Sequence, residues 1–198
     1  EVDWWQEIRE QFADGEAYEH YIGRWSRRVG HLFLDWLSLP PGLRWVEVGC
    51  GTGALTETIL ERTDPGKVTG VEPSEGFLSQ ARVKITDTRA EFKPGDAMSL
   101  TVNDAEADVL VPGLVLNFVP IAGRALGDVP DCPVWGTVAL YVWDYAGEMQ
   151  LMRYFGMRSP NCFLGRGSRQ GKQFPICNPD PLADLFRAAN LQEVEARA

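Results

Sequence analysis

Glycines occupy alternate positions in Gly49-Cys50-Gly51-Thr52-Gly53, and two acidic residues stand at chemically useful distances from them. Glu47 lies shortly before the first glycine, and Glu72 follows it by about 20 residues, the offset at which a carboxylate binds a ribose diol. Glycines allow the backbone to approach a ligand closely and to adopt positive φ. The pattern predicts a backbone-lined site for a ligand that contains a ribose.

The negative charge of Glu47 narrows the choice of ligand. A carboxylate beside the glycine turn would repel the pyrophosphate of a dinucleotide and attract a ligand with an ammonium group. The spacing also departs from the Gly-x-Gly-x-x-Gly pattern of nicotinamide-dependent oxidoreductases, because Ala54-Leu55-Thr56 follows the last glycine. Both features favour a cationic ligand, and an NAD(P)-dependent oxidoreductase remains the alternative.

Three elements must position this turn. Residues 45–48 form a short run of β-branched and aromatic residues around Glu47, and such a run is typical of a buried strand. The apolar spacing over 54–62 predicts a helix, and residues 67–72 form a second predicted strand that ends at Glu72. Strand, glycine turn, helix and strand are the first part of a nucleotide-binding βαβ unit. The helix would point its free N–H groups at the ligand.

Further helices and strands are predicted on both sides of this unit. Ser74 is the predicted N-cap of the helix after the second strand, and Pro40-Pro41-Gly42 ends a helix over 29–37. The remaining predicted elements are strands over 90–93, 107–111 and 134–143, a helix over 179–189, and the beginning of a sixth strand over 191–196.

Val46-Glu-Val-Gly-Cys-Gly-Thr-Gly53 and Val71-Glu-Pro-Ser74 together resemble the cofactor site of class I S-adenosylmethionine-dependent methyltransferases, of the UbiE-like (type 11) small-molecule branch. The resemblance covers about residues 18–142 and resumes over about 174–195. It implies an α/β fold, with a Rossmann-like, doubly wound, mostly parallel sheet and helices on both faces. The chain would end inside the sixth strand, so that the C-terminal strand of the fold is missing.

The resemblance also assigns roles. Glu47 would offset the positive charge of the cofactor's methionyl end, Glu72 would bind the ribose hydroxyls, and Asp96 with Ala97 would hold the adenine. The cofactor-binding residues that it implies are Tyr21, Arg24, Glu47, Gly49, Cys50, Gly51, Gly53, Glu72, Pro73, Ser74, Asp96, Ala97, Leu114 and Leu116.

Several of these assignments have a structural alternative. Tyr21 and Arg24 would belong to a lid over the cofactor, or the aromatic side chains near them would only pack a helix onto the sheet edge. Leu114 and Leu116 would line the methyl-transfer pocket, or they would be core residues. Asp96 follows Pro94-Gly95, so it could also be only a turn-forming residue.

The resemblance predicts methyl transfer to a small-molecule acceptor by in-line displacement, a reaction that depends mainly on alignment. An acceptor that needs a base would find one in His20 or Asp144. Because the terminal strand of the fold would be missing, an inactive methyltransferase that only binds the cofactor is a second alternative. The predicted organisation is a single domain of 198 residues, with N-terminal helices and lid (1–43), a cofactor-binding core (44–143), an irregular insert (144–178) and a terminal helix with a partial strand (179–198).

Composition limits the partners and the compartment. A net charge of −9 without a basic stripe argues against nucleic acid, and no apolar run reaches transmembrane length. The four cysteines are scattered, so that neither a metal site nor a disulfide framework is predicted and a cytoplasmic location is expected. An open sheet edge would permit self-association.

Overall fold

The computed structural model describes residues 24–95, 100, 107–115, 136–144 and 177–198. In chain order, its elements are α1 (Arg24–Leu37), β1 (Arg44–Val48), α2 (Ala54–Arg62), β2 (Lys67–Glu72), α3 (Glu75–Lys84), β3 (Ala90–Pro94), β4 (Val109–Val111), β5 (Thr137–Val138) and α4 (Pro179–Ala188). None of the helices in these ranges is long and apolar enough to cross a membrane.

The described residues fall into two compact units. The first contains residues 24–95, 100, 107–113 and 136–140, and with them the whole sheet. The second contains residues 114–115, 141–144 and 177–198. In the second unit, α4 begins with Pro179 in its first turn, where the missing N–H of proline costs no helical hydrogen bond.

The sheet has the strand order β3-β2-β1-β4-β5, and every pair is parallel. The first strand is central, since β2 pairs on one side of it and β4 on the other. Parallel strands that are buried on both faces are rich in apolar residues, and all residues of β1 and β2 after the first are buried. This arrangement confirms the predicted α/β class with a Rossmann-like parallel sheet.

The helices of the first unit are joined by a shared acidic residue. The Glu57 carboxylate of α2 accepts from Arg27 of α1 at 3.4 Å and from Lys84 of α3 at 2.7 Å. Between α1 and α2 the packing is close, because a Cβ atom on Gly30 would lie 3.4 Å from the Leu55 side chain. These contacts hold the beginning of α2 and the end of α3 beside the glycine turn.

The predictions for α2 and β2 match the observed bounds, and the third strand is one residue longer than predicted, whereas the predicted fourth and fifth strands are too long. The fourth strand is Val109–Val111, and the fifth is Thr137–Val138 within the described part of the predicted 134–143. Pro112 follows β4 directly, and because proline has no N–H donor the parallel ladder cannot continue through it.

The predicted strand over 191–196 is wrong. Residues 191–198 contain no strand in the structure. Glu193 has φ 54°, a left-handed conformation that an extended strand does not contain. The alternation of apolar and acidic residues that motivated the prediction therefore belongs to an irregular segment.

Candidate functional site

The glycine turn between β1 and α2 is folded as the sequence predicts. Gly49, Gly51 and Gly53 have φ values of 70°, 55° and 85°, in the left-handed region that favours glycine. The amides of Gly49 and Cys50 both donate to the carbonyl of Val71, at 2.7 and 3.1 Å, so that the turn is attached to the end of β2. The carboxyl ends of β1 and β2 and the beginning of α2 thus meet at one place, where ligands bind in open α/β sheets.

Two of the glycines have different reasons for being glycine. Gly53 has φ 85°, a left-handed conformation in which any side chain is strained, and a Cβ atom there would also lie 2.5 Å from Cδ1 at the end of the Ile85 side chain. A Cβ atom on Gly51 would meet no described atom within 4 Å. As far as the described residues show, the space above Gly51 is open, on the side where a ligand could contact the backbone.

Cys50 is directed away from that open space. Its side chain is buried, and its Sγ would lie 2.8 Å from a Cβ atom on Gly70, which is glycine in β2 because this position has no room for a side chain. Burial raises the pKa of the Cys50 thiol far above its ordinary value. Any contribution of Cys50 to ligand binding would come from its backbone.

Glu72 has its carboxylate fixed at the turn by two backbone amides. Oε2 accepts from the amide of Gly51 at 3.1 Å, and Oε1 accepts from the amide of Ser74 at 3.0 Å. Ser74 also caps α3, because its hydroxyl oxygen accepts from the amide of Phe77 at 3.4 Å. The last residue of β2 is thereby held in one orientation beside Gly51, with 7% of its surface exposed.

Glu47 is more deeply buried than its predicted role implies. Its surface is 2% exposed, and the Thr56 hydroxyl donates to its carboxyl. The pKa of Glu47 is raised to about 8, mainly by burial and also by the nearby Glu72, although hydrogen bonds from the Thr56 hydroxyl and backbone act in the opposite direction. Near neutral pH this side chain is mainly a neutral carboxylic acid in the ligand-free protein.

Thr56 is the residue that the sequence reasoning missed. It lies in the first turn of α2, it is fully buried, and it is the hydrogen-bond partner of Glu47. Gly53 offers no side chain to cap this helix, so the Glu47 carboxyl takes that position from the neighbouring strand. A polar residue at the third position of a helix that follows a glycine turn is the signal that could have identified it.

The other predicted site residues are distributed as follows. Pro73 is exposed between β2 and α3, whereas Leu114 and Asp144 belong to the second unit. Leu114 is buried and has φ 60°, and its amide donates to the carbonyl of Tyr141 at 3.0 Å. Arg24 is the first residue of α1, and the predicted residues outside the described ranges are His20, Tyr21, Asp96, Ala97 and Leu116.

The glycine turn lies within the part of the chain that is similar to a known protein family. The family model described as a methyltransferase domain matches residues 46–128, which begin in β1 and include the turn, α2, β2 and Glu72. The matched stretch is similar to a methyltransferase domain, and it is less than half of the 198-residue chain. The resemblance to methyltransferases that was based on residues 46–53 and 71–74 is thereby confirmed.

Individual relatives agree with the methyltransferase assignment. A trans-aconitate 2-methyltransferase of Variovorax paradoxus is 33% identical over 103 residues, which are 52% of this chain and 39% of the relative. A malonyl-[acyl-carrier protein] O-methyltransferase of Acetivibrio thermocellus is 30% identical over 81 residues, which are 40% of this chain and 28% of the relative. The chain therefore spans less than half the length of these curated relatives.

A solved structure supports the fold of the methyltransferase domain. It is a chain of the complex between the Haloferax volcanii Trm112 methyltransferase activator and the putative methyltransferase, with a TM-score of 0.67 and 16% identity. The match covers 95% of this chain and 82% of that one. At this identity the similarity concerns the fold alone.

Proposed function

We propose that this chain binds S-adenosylmethionine and transfers its methyl group to a small-molecule acceptor by in-line displacement. The observation that carries the proposal is the Glu72 carboxylate, held between the amides of Gly51 and Ser74 beside an open glycine turn. A carboxylate in that place can accept two hydrogen bonds from vicinal ribose hydroxyls while its orientation is already set.

The remaining contacts of the cofactor follow from the turn. The backbone of Gly49 to Gly53 would form the floor of the pocket, with Gly51 on its open side. Glu47 would face the positively charged methionyl end. Asp96 and Ala97 would hold the adenine, and Tyr21 and Arg24 would cover the site, as the sequence resemblance implies.

Little further chemistry is required of the protein. A methyl group on a sulfonium is already activated, so the site must align the acceptor with the S–CH₃ bond and exclude water. An acceptor hydroxyl or amine needs a base to take its proton, whereas a carboxylate does not. His20 and Asp144 remain the proposed bases for an acceptor of the first kind.

The names of the relatives give the acceptor screen a starting point. One relative is named for trans-aconitate and another for a malonyl thioester of acyl carrier protein, and both acceptors contain carboxylates. A carboxylate is accordingly the first acceptor class to test. A single-domain organisation, a cytoplasmic location and self-association through a sheet edge belong to the same proposal.

Two alternatives differ from this proposal, one in the cofactor that is bound and the other in the absence of catalysis. A nicotinamide-dependent oxidoreductase would bind NAD, and it is disfavoured because the glycine spacing departs from its Gly-x-Gly-x-x-Gly pattern and Glu47 has no role in such a site. A protein that only binds the cofactor would bind S-adenosylmethionine and produce no S-adenosylhomocysteine with any acceptor.

The test is parallel isothermal titration of the purified chain with S-adenosylmethionine, S-adenosylhomocysteine and NAD, followed by an acceptor screen that detects S-adenosylhomocysteine. Binding of the two adenosyl ligands without NAD, and product formation with a carboxylate, is the expected result. Binding of NAD alone would overturn the cofactor, and binding without product from any acceptor would favour the non-catalytic alternative.

A further inference from the structure

Glu47 is an acid in a place where an unpaired negative charge is unfavourable. Its side chain is buried at the carboxyl end of β1, and its hydrogen bonds come from Thr56. No lysine or arginine among the described residues forms an ion pair with it. A buried carboxylate without a cationic partner takes up a proton to avoid the cost of desolvation.

The described groups around Glu47 do not supply the missing positive charge. On β2, the charge of Glu72 opposes the ionisation of Glu47. In the glycine turn, the Cys50 thiol is close enough for Glu47 to raise its pKa, and Arg82 of α3 acts on that thiol in the opposite direction. On α2, Thr56 donates hydrogen bonds and cannot itself carry a charge. Ionisation of Glu47 therefore depends on a cation from outside this set.

We propose that Thr56 is a positioning residue, which holds the Glu47 carboxyl at the glycine turn so that the arrival of a cationic ligand expels the proton from it. The inference rests on the proposed function, because the cation is the methionyl portion of S-adenosylmethionine. In this step the O–H bond of the Glu47 acid breaks, the proton passes to the buffer, and the carboxylate remains paired with the bound cation. The site would thereby select a cationic ligand over a neutral one.

A purely structural role for the pair predicts different behaviour. The Glu47 carboxyl accepts hydrogen bonds from the hydroxyl and the backbone of Thr56 in the first turn of α2, where the N-cap residue Gly53 has no side chain to accept them. If capping were its whole contribution, replacing Glu47 or Thr56 would change stability without changing the number of protons released on binding. The count of released protons separates the two roles.

That count is obtained by isothermal titration of the same protein in buffers with different enthalpies of ionisation, from mildly acidic to mildly alkaline pH. The native protein is expected to release close to one proton for each S-adenosylmethionine bound near neutral pH. Its affinity for S-adenosylmethionine should rise by up to about tenfold per pH unit as the pH increases towards the pKa of Glu47 in the ligand-free protein. The Glu47→Gln variant should release only those protons that the ligand itself loses on binding. Methylthioadenosine, which lacks the methionyl ammonium and carboxylate, should bind without proton release.

Thr56 is tested against a matched threonine on the same helix. Thr58 is also buried, but its hydroxyl donates to the Ala54 carbonyl at 2.9 Å, so that Thr58→Val should leave the proton count unchanged. Thr56→Val should weaken S-adenosylmethionine binding near neutral pH by about tenfold and move the pH profile upward, because the ionised carboxyl loses a charge-assisted hydrogen bond. Thr56→Ser should restore both properties.

The outcomes distinguish this inference from the function on which it rests. Equal proton release by the native protein, Glu47→Gln and Thr56→Val would overturn the inference and leave S-adenosylmethionine binding intact. Failure of the folded native protein to bind any adenosyl ligand would overturn the proposed function together with the inference. The comparison of the native protein with Glu47→Gln decides the matter even if Thr56→Val does not fold.

Discussion

The Arg44 guanidinium and the Asp108 carboxylate form a two-point ion pair that joins the beginning of β1 to the beginning of β4. Arg44 donates from one side-chain nitrogen at 2.9 Å and from another at 2.7 Å, and its backbone amide donates to the same carboxylate at 2.8 Å. These two residues are 64 positions apart in the chain. The pair sets the register of the central strands at the edge of the sheet opposite the glycine turn.

Replacement of Asp108 by alanine should lower the free energy of unfolding by about 1 kcal/mol near neutral pH, since the pair is partly exposed and is screened by water. The guanidinium lowers the pKa of Asp108 to about 2. Its contribution should therefore be present above the ordinary pKa of the carboxyl and should be lost as the pH falls towards 2. Urea unfolding at several pH values measures this dependence.

The control is Asp184→Ala on α4, which removes an exposed carboxylate paired with Arg187 at 2.9 Å. That change should alter the free energy of unfolding by less than about 0.5 kcal/mol. Equal effects of the two substitutions would contradict a specific contribution of Asp108.

Glu72→Ala should weaken S-adenosylmethionine binding by about 1–3 kcal/mol, because two charge-assisted hydrogen bonds to the ribose would be lost. Isothermal titration measures the affinity, and circular dichroism checks that the fold is retained. Glu75→Ala is the matched control, since this neighbouring acid pairs with Arg82 at the surface. An unchanged affinity in folded Glu72→Ala would refute the ribose assignment.

Gly53→Ala should lower the free energy of unfolding by about 1–2 kcal/mol, because the residue has φ 85° and alanine is strained in this left-handed conformation. The new Cβ atom would also lie 2.5 Å from Cδ1 at the flexible end of the Ile85 side chain, which can move aside. Gly76→Ala provides the opposite case, because a Cβ atom in this first turn of α3 would meet only the Ser74 hydroxyl, at 3.7 Å. It should stabilise the protein by about 0.5–1 kcal/mol. Thermal unfolding of both variants measures the two changes in stability. A change of the same sign in both variants would contradict the prediction.

The ligand-free protein should lose stability as the pH rises from mildly acidic values through about 8. The pKa of Glu47 is raised in the folded state to about 8 from an ordinary value of 4.5, so that the unfolded chain ionises first. The slope attributable to this group approaches about 1.4 kcal/mol per pH unit between the two values.

Chemical denaturation across that range tests the pH dependence. Glu47→Gln should flatten it, whereas Glu61→Gln, which changes an exposed acid on α2, should leave it unchanged. A slope that persists in Glu47→Gln would assign the pH dependence to other groups.

Much of the site could be predicted from the sequence because its signals are local. The bounds of α2 and β2, the glycine turn and the Ser74 cap depend on residue types within a few positions of one another. Two motifs close together in the chain were likewise enough to recognise the methyltransferase domain. For these features, local conformational preference and the tertiary structure agree.

The tertiary structure decided which groups meet across the chain. The sequence placed Glu47 at the ligand because a carboxylate there has a charge, but its contact with Thr56 and its burial make it mainly a neutral acid in the ligand-free protein. Similarly, position 70 is glycine because the Cys50 side chain packs over it. The short β4 ends at Val111 because a parallel strand requires N–H donors and Pro112 has none. A residue's charge state and the length of a strand depend on neighbours supplied by other elements, and local sequence does not encode those neighbours.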